Sequence, residues 1–423
     1  MICTSWCCDD SVNIYNWAFT PGVSMPPSSS RISLVDALRG FAILAIMLLH
    51  NIERFDLYGT PAWTPAWLAA LDKGIWSAAF FLFGGKAYAI FAFLFGFTFA
   101  LQFDKRAALG QDFRPRFVWR MFLLLCFGLV NSLFYHGDIL SIYAVLAMSL
   151  LPVARLGNRA LLIVATILLL QPLAWLDLFH ALPAAATTLA DPASWAHFSA
   201  ANVYLMHGTL LDVWIGNLTN GKTAAILWSW ENGRILQIPA LLMLGMLACR
   251  TRLFDTAHDA AARWRRIGLG ALLAFTLLFL ASKSLDGWIA AEGVRRPLQV
   301  IVTSWSNLAF ATLLVASFVA LYTRKAGAGL LSRLAPMGRM SLTSYIAQSL
   351  IGTTLYYGFG LGLYQFTGAG ICLAIGIALA TMQIRWSSWW LQRHAQGPLE
   401  SLWHRATWIG QRPAAPSAQA GRH

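Results

Sequence analysis

Charge is in short supply in this chain. Asp and Glu together account for 18 of 423 residues, and residues of either sign make up only 12%. A soluble domain carries about 25% charged residues, so there is too little charge here to clothe a water-facing surface. Cysteine is also sparse, six in all, and unpatterned. Cys126, Cys249 and Cys372 lie in or at the ends of apolar runs, where a thiol packs as a small hydrophobe, and Cys3, Cys7 and Cys8 crowd the first eight residues. No disulfide or zinc spacing emerges. There is no Walker loop, no HExxH, no GxSxG elbow and no closely spaced Cys or His ligand set. His180, His197 and His207 are scattered without metal spacing. ATP-driven work and metal hydrolysis are therefore poor guesses, and neither a metal nor a bound cofactor is expected.

What is abundant is apolar mass: 58% of residues are hydrophobic, with 19 Trp and 26 Phe. Runs near the bilayer-spanning length of roughly 20 residues recur along the whole chain. Ten are expected, at about 38–53, 76–102, 117–135, 139–154, 160–178, 232–249, 267–285, 298–322, 340–363 and 368–390. The net charge of +13 does not point to nucleic acid. With the N-terminus placed in the cytoplasm, most of the basic residues fall on that side, including Lys105, Arg106, Arg114, Arg116 and the cluster Arg263, Arg265, Arg266. Only Arg54, Lys73, Lys222, Arg295 and Arg296 fall outside. The fold class expected is all-α, a polytopic integral membrane protein of about ten transmembrane helices with both termini cytoplasmic, in the lipid bilayer of a bacterial inner membrane.

The segment before Ser33 lacks a basic region followed by an apolar core, so it does not read as a signal peptide. Met25 is an alternative start. The expected organisation is an N-terminal extension (1–30), a first transmembrane half (31–200), a second transmembrane half (201–408) and a disordered cytoplasmic tail (409–423). The outer segment from about 179 to 231 is too long for a simple loop. Short interfacial helices covering a site are expected there.

The first apolar run, "DALRGFAILAIMLLHN" (36–51), carries three groups that are costly in lipid. Arg39 and His50 are eleven positions apart, about 20° apart around a helix and about 16 Å apart along it, so they share one face. Asp36 lies three residues before Arg39 and can pair with it. A snorkelling anchor at Arg39 and an interfacial His50 would explain each group singly. Three on one face favour function: an anion-binding group at the cytoplasmic end and a titratable base deeper in.

"RISLVDALRGFAILAIMLLHNI" (31–52) resembles the first helix of the YeiB family of bacterial membrane proteins, whose C-terminal half defines DUF418, and of the wider transmembrane acyltransferase superfamily. That superfamily includes the acyltransferase-3 proteins and the heparan glucosaminide N-acetyltransferases. The Arg, ten residues and His of the acyltransferase-3 branch are matched by Arg39 and His50. The resemblance continues in "GGKAYAIFAFLFGFTFALQ" (84–102), "FYHGDILSIYAVLA" (134–147), "GRILQIPALLMLGMLACRTRLF" (233–254) and "LAPMGRMSLTSYIAQSLIGTTLYYGFGLGLY" (334–364), running on to "HAQGPLESLWHRATW" (394–408). It implies an enzyme that takes an acyl group from cytoplasmic acyl-CoA, a cosubstrate such as acetyl-CoA, to an acceptor at the other face, such as an envelope glycan. In that scheme Arg39 holds a CoA phosphate, Asp36 orients Arg39, and His50 is the general base or a transient acyl carrier.

Further candidates are Lys86, an ammonium about 15 Å into the second run beside Gly84 and Gly85; Asp138 with His136 in the turn "YHGDIL", as acceptor-binding or His-orienting groups; and Gln348 on a polar stripe with Ser341, Ser344 and Tyr345, of a kind that usually glues helices together. Glu231 and Arg234 open the sixth run, where an acid complements the helix dipole. Glu400 is placed near the CoA mouth or beside Arg405. Three readings stay open, in order: an acyltransferase, a solute transporter or lipid flippase, and a silent scaffold.

Overall fold

The computed structural model describes residues 30–58, 61, 63–183, 188–255 and 260–409. The extension, the Met25 start, Cys3, Cys7, Cys8 and nearly all of the tail lie outside them. Every regular element among the described residues is helical. The helices are α1 (Ser30–Ile52), α2 (Ala66–Phe83), α3 (Ala87–Ala108), α4 (Arg114–Phe134), α5 (Leu140–Leu146), α6 (Leu150–Val153), α7 (Asn158–Leu169) and α8 (Pro172–Ala181). There follow α9 (Ala193–His207), α10 (Leu210–Gly216), α11 (Lys222–Glu231), α12 (Arg234–Arg250), α13 (Ala260–Trp288), α14 (Glu292–Tyr322), α15 (Lys325–Leu331), α16 (Ala335–Arg339), α17 (Ser341–Tyr356), α18 (Ala369–Leu391) and α19 (Pro398–Thr407).

Among the described residues seven helices are long and apolar enough to cross a membrane, or eight if the pair 210–231 and 234–250, bent by 72°, is one span. All ten expected runs are helical, but three fall short of about 20 residues: Leu140–Val153, α12 and α17. The expected span at 76–102 is the middle of a 43-residue stretch, Ala66–Ala108, interrupted at Gly84–Lys86.

α1 is the axial helix. Leu34, Ala37, Leu38, Ala42, Ile43 and Met47 are buried along it, and it packs against α2, α3, α16, α17 and α18. α13 lies at the rim instead: Leu269, Leu273, Leu277 and Leu280 are exposed, as suits a lipid-facing helix. The tightest crossing joins α3 to α12. A Cβ at Gly96 would lie 1.8 Å from the Leu242 carbonyl oxygen, and one at Gly245 would lie 1.8 Å from that of Phe93. The absence of a side chain at both positions lets the two backbones approach so closely. This contact joins the two expected halves into one body, and the expected boundary at 200/201 falls inside α9.

The described residues of the long segment at about 179–231 are largely helical. α9 packs on α11, and both supply side chains to the wall of a cavity at the His50 end of α1. Glu231 does not open α12. It ends α11 and accepts hydrogen bonds from the Ser194 amide (3.1 Å) and hydroxyl (2.5 Å), capping α9 instead.

Candidate functional site

His50 stands on the last turn of α1, eleven residues beyond Arg39 on the same face, and opens onto a cavity of about 630 Å³. Two groups meet its Nδ1: the Tyr135 hydroxyl at 3.0 Å and a Glu53 carboxylate oxygen at 3.5 Å. Glu53 is one helical turn after His50, and that spacing is what brings the carboxylate to the ring. Nε2 carries no hydrogen bond among the described residues. An imidazole held at one nitrogen by a carboxylate, with the other nitrogen free, is set up as a general base.

The chain then turns through three successive non-glycine residues with left-handed backbone: Arg54 (φ 52°), Phe55 (φ 55°) and Asp56 (φ 70°). Each costs about 1–2 kcal/mol in isolation. Non-local contacts hold the turn. The Arg54 guanidinium donates to the carbonyls of Tyr364 (3.0 Å) and Thr367 (3.3 Å), and the Phe55 carbonyl accepts from the Tyr357 hydroxyl (2.8 Å). The buried Phe55 ring sits among His50, Tyr135 and Tyr356, over Gly352, where a Cβ would lie 1.9 Å from the ring.

The strained turn delivers Asp56 to the same cavity. The Tyr58 hydroxyl donates to both Glu53 and Asp56 at 3.2 Å, and Asp56 lies 3.3 Å from Nε2 of His136. His50, Glu53, Tyr58, Asp56 and His136 thus form one connected chain of titratable groups. Burial raises Glu53 above the usual carboxylate range, against the pull of its hydrogen bond to His50. Burial lowers the His136 imidazole, while Asp56 pulls it back up. No three His, Cys, Asp or Glu side chains among the described residues are arranged to hold a metal ion.

At the other end of α1, Arg39 meets Asp36 at 2.9 Å and donates to the Thr98 hydroxyl at 2.8 Å. It lines a second cavity of about 200 Å³ together with Arg120, Arg339, Gln102, Glu400 and Trp403. Glu400 does line this cavity, but its oxygens accept from the Leu342 and Thr343 amides and the Thr343 hydroxyl, capping α17 rather than meeting Arg405. Three guanidiniums, one of them paired with Asp36, and the Glu400 carboxylate thus border this small space.

The two cavities share no lining residue. Each has a buried tyrosine in its wall: Tyr143 in the smaller, stacked on Phe91 with its hydroxyl on the Tyr88 carbonyl (2.8 Å), and Tyr345 in the larger, whose hydroxyl accepts from the Ile139 amide (3.2 Å). Arg39 and His50 therefore share a helix face but not a chamber.

The remaining sequence candidates fall elsewhere. Asp138 is buried and touches Asn131 (3.0 Å), the Ser141 amide (3.0 Å) and Lys222 (3.4 Å), so it starts α5 and neutralises a lysine rather than orienting His50. His136 meets Asp56 and contributes no wall to the cavity. The Lys86 ammonium donates to the Phe80 carbonyl in the last turn of α2 (3.5 Å) and lies near the rings of Phe81 and Phe310, so that Gly84, Gly85 and Ala87 line the cavity and Lys86 itself does not. Gln348 donates to Gln383 (2.8 Å), which donates to the Ser344 carbonyl (2.9 Å), joining α17 to α18. Sequence reasoning missed Glu53, Asp56, Tyr135 and Arg120. Of these only Glu53 carried a local signal, its spacing from His50.

Residues 248–410 match the family described as DUF418, a protein of unknown function. Over 416 residues the chain is 27% identical to the uncharacterized protein YxaH of Bacillus subtilis (strain 168), covering 92% of this chain and 97% of that one. It is 26% identical to the uncharacterized protein YeiB of Escherichia coli (strain K12), covering 90% and 97%. A third relative is an uncharacterized 39.9 kDa protein in the amylase 3' region of Bacillus acidopullulyticus, 27% identical over 89% of this chain and 94% of that one. No solved structure matches. With seven or eight membrane-length helices among the described residues, a match to the DUF418 model across its last seven helices and similarity to YeiB over nine-tenths of its length, the chain resembles this group of helical membrane proteins.

Proposed function

We propose that this is a transmembrane acyltransferase of the bacterial inner membrane, moving an acyl group from cytoplasmic acyl-CoA to an acceptor at the outer face. The observation that carries the reading is His50, fixed at Nδ1 by Glu53 and Tyr135 and open to a 630 Å³ cavity. In this reading both termini are cytoplasmic, and the arginine-rich cavity at the other end of α1 takes a phosphate of CoA.

The pantetheine arm threads from Arg39 past Tyr143 and Tyr345, which must move aside, and brings the thioester beside His50. The imidazole removes a proton from the acceptor hydroxyl or amine as its oxygen or nitrogen attacks the thioester carbon. The C–S bond breaks, the acyl group ends on the acceptor, and the proton passes from His50 to the departing CoA thiolate. Glu53 holds the ring's tautomer and steadies the imidazolium in between.

A transporter is the second reading, favoured by one observation: two separate cavities at opposite ends of one helix, beside a span broken by 72°. The test is CoA-thioester binding and hydrolysis by protein purified in lipid, with Arg39→Ala and His50→Ala beside wild type. Thioester cleavage lost in His50→Ala supports the transferase. No cleavage by any of the three, together with solute flux in vesicles, assigns the protein to transport.

A further inference from the structure

Arg234 opens α12 directly after the break at Gly233, and it belongs to the wall of both outer cavities, the 630 Å³ one that holds His50 and a neighbour of about 1000 Å³. Its guanidinium is clamped between two rings, 4.1 Å from the centre of Tyr88 on α3 and 3.8 Å from that of Trp228 on α11. Such stacking fixes the plane of the group and leaves its N–H edge free. The clamp is itself braced: Tyr88 is hydrogen-bonded to Gln237, and the Gly233 carbonyl accepts from Gln171 (3.1 Å). Among the described residues Arg234 has no carboxylate within ion-pairing distance and donates no hydrogen bond. A guanidinium has five N–H donors, and leaving them unfilled away from bulk water is costly.

The charges of the 630 Å³ cavity are divided. Arg234 is its cation, whereas Glu53 and Asp56 are its carboxylates and His50 stands with them. An anion is repelled from the acidic end and drawn to Arg234. A hydroxyl or ammonium is drawn the opposite way, to Glu53, Asp56 and the free nitrogen of His50. Phe80, Phe83, Ile46 and Ile142 line the space with apolar surface.

We propose that Arg234 is the anchor of an oxyanion-binding site, and that the ligand of this cavity carries a phosphate or carboxylate at one end and a hydroxyl or amine at the other. As the acceptor in the transfer above it would be held by the oxyanion, with the hydroxyl or amine turned to His50. That role rests on the transferase reading, whereas the binding itself does not.

The experiment is calorimetric titration of the full-length protein in nanodiscs, without acyl-CoA. The probes are glycerol 3-phosphate, glycerol, and dihexanoyl phosphatidylethanolamine as the lipid source of the same chemistry. Wild type is expected to bind at least one phosphate-bearing probe, weakening with added salt, and to bind glycerol not at all. Arg234→Gln is expected to lose tenfold or more in affinity. Arg234→Lys keeps the charge without the flat fork, should fold where the glutamine variant does not, and is expected to lose several-fold. Binding by glycerol 3-phosphate alone marks a soluble ligand, and binding by the lipid alone a headgroup; either supports the site. No binding by either phosphate, or equal binding by wild type and both variants, overturns it. Phosphate binding without any acyl transfer leaves the site standing and removes the transferase reading instead.

Discussion

His50 matters less for being a histidine in a membrane helix than for how its two nitrogens are treated. Glu53 and Tyr135 meet Nδ1, Nε2 carries no hydrogen bond among the described residues, and the residue lines the cavity. Replacement by Gln keeps the size and some hydrogen bonding but removes the base, so turnover with a CoA thioester is expected to fall by about 10²–10⁴-fold while thioester affinity holds. Glu53→Gln is expected to lower turnover by less, because the ring stays in place but loses its counter-charge. His136 offers a pH test with a definite sign. Burial depresses its folded-state pKa below its unfolded value of about 6.5, so its contribution to stability is present above that value and is lost as pH falls through the lower folded one. The melting temperature in detergent is expected to drop on acidification, less steeply in His136→Gln. The pairing of Asp36 with Arg39 was legible in the sequence because it depends on a spacing of three along one helix. Asp138, Lys86 and Gln348 read as functional because their partners, Lys222, Phe310 and Gln383, are remote in the chain. Those contacts engage the Asp138 carboxylate, the Lys86 ammonium and the Gln348 amide nitrogen, which an isolated reading leaves free.

The decisive element is the short turn after α1. Three left-handed residues in succession are not stable in themselves, and nothing in "ERFD" announces them, since the glycine that usually marks such backbone is absent. The turn is imposed from outside, by Phe55 buried over Gly352 and by Arg54 reaching the carbonyls beyond α17. Phe55→Ala is therefore expected to cost about 3–5 kcal/mol, read as a lowered unfolding midpoint, and to reduce turnover further because Glu53 and Asp56 lose their placement. Gly352→Ala pushes on the same ring and should act in the same direction. Elsewhere, Gly245→Val drives a branched side chain into the Phe93 backbone and is expected to destabilise by about 1–3 kcal/mol or more, seen as poor extraction of folded protein. The helical runs themselves were legible because long apolar stretches admit few alternatives in a bilayer. The early end of α17 was not, because Tyr357, Phe359, Leu361 and Leu363 carry the apolar run on past its last turn, whereas Leu140–Val153 and α12 were read at nearly their observed lengths.

At the scale of the whole molecule, α1 carries one cavity at each end, and transfer requires that a CoA thioester reach from one to the other. Tyr143, in the wall of the Arg39 cavity, is buried to 1% exposure. Tyr143→Ala is expected to join the chambers and raise water-driven thioester hydrolysis relative to transfer. The central claim is that a thioester whose phosphate lies at Arg39 reacts at His50. The direct measurement is release of free CoA thiol from acetyl-CoA by the full-length protein in lipid, for wild type, Arg39→Ala and His50→Gln. The account predicts release by wild type, a raised half-saturating concentration in Arg39→Ala, and binding without release in His50→Gln. Release at the wild-type rate from His50→Gln, or none from wild type, would contradict it.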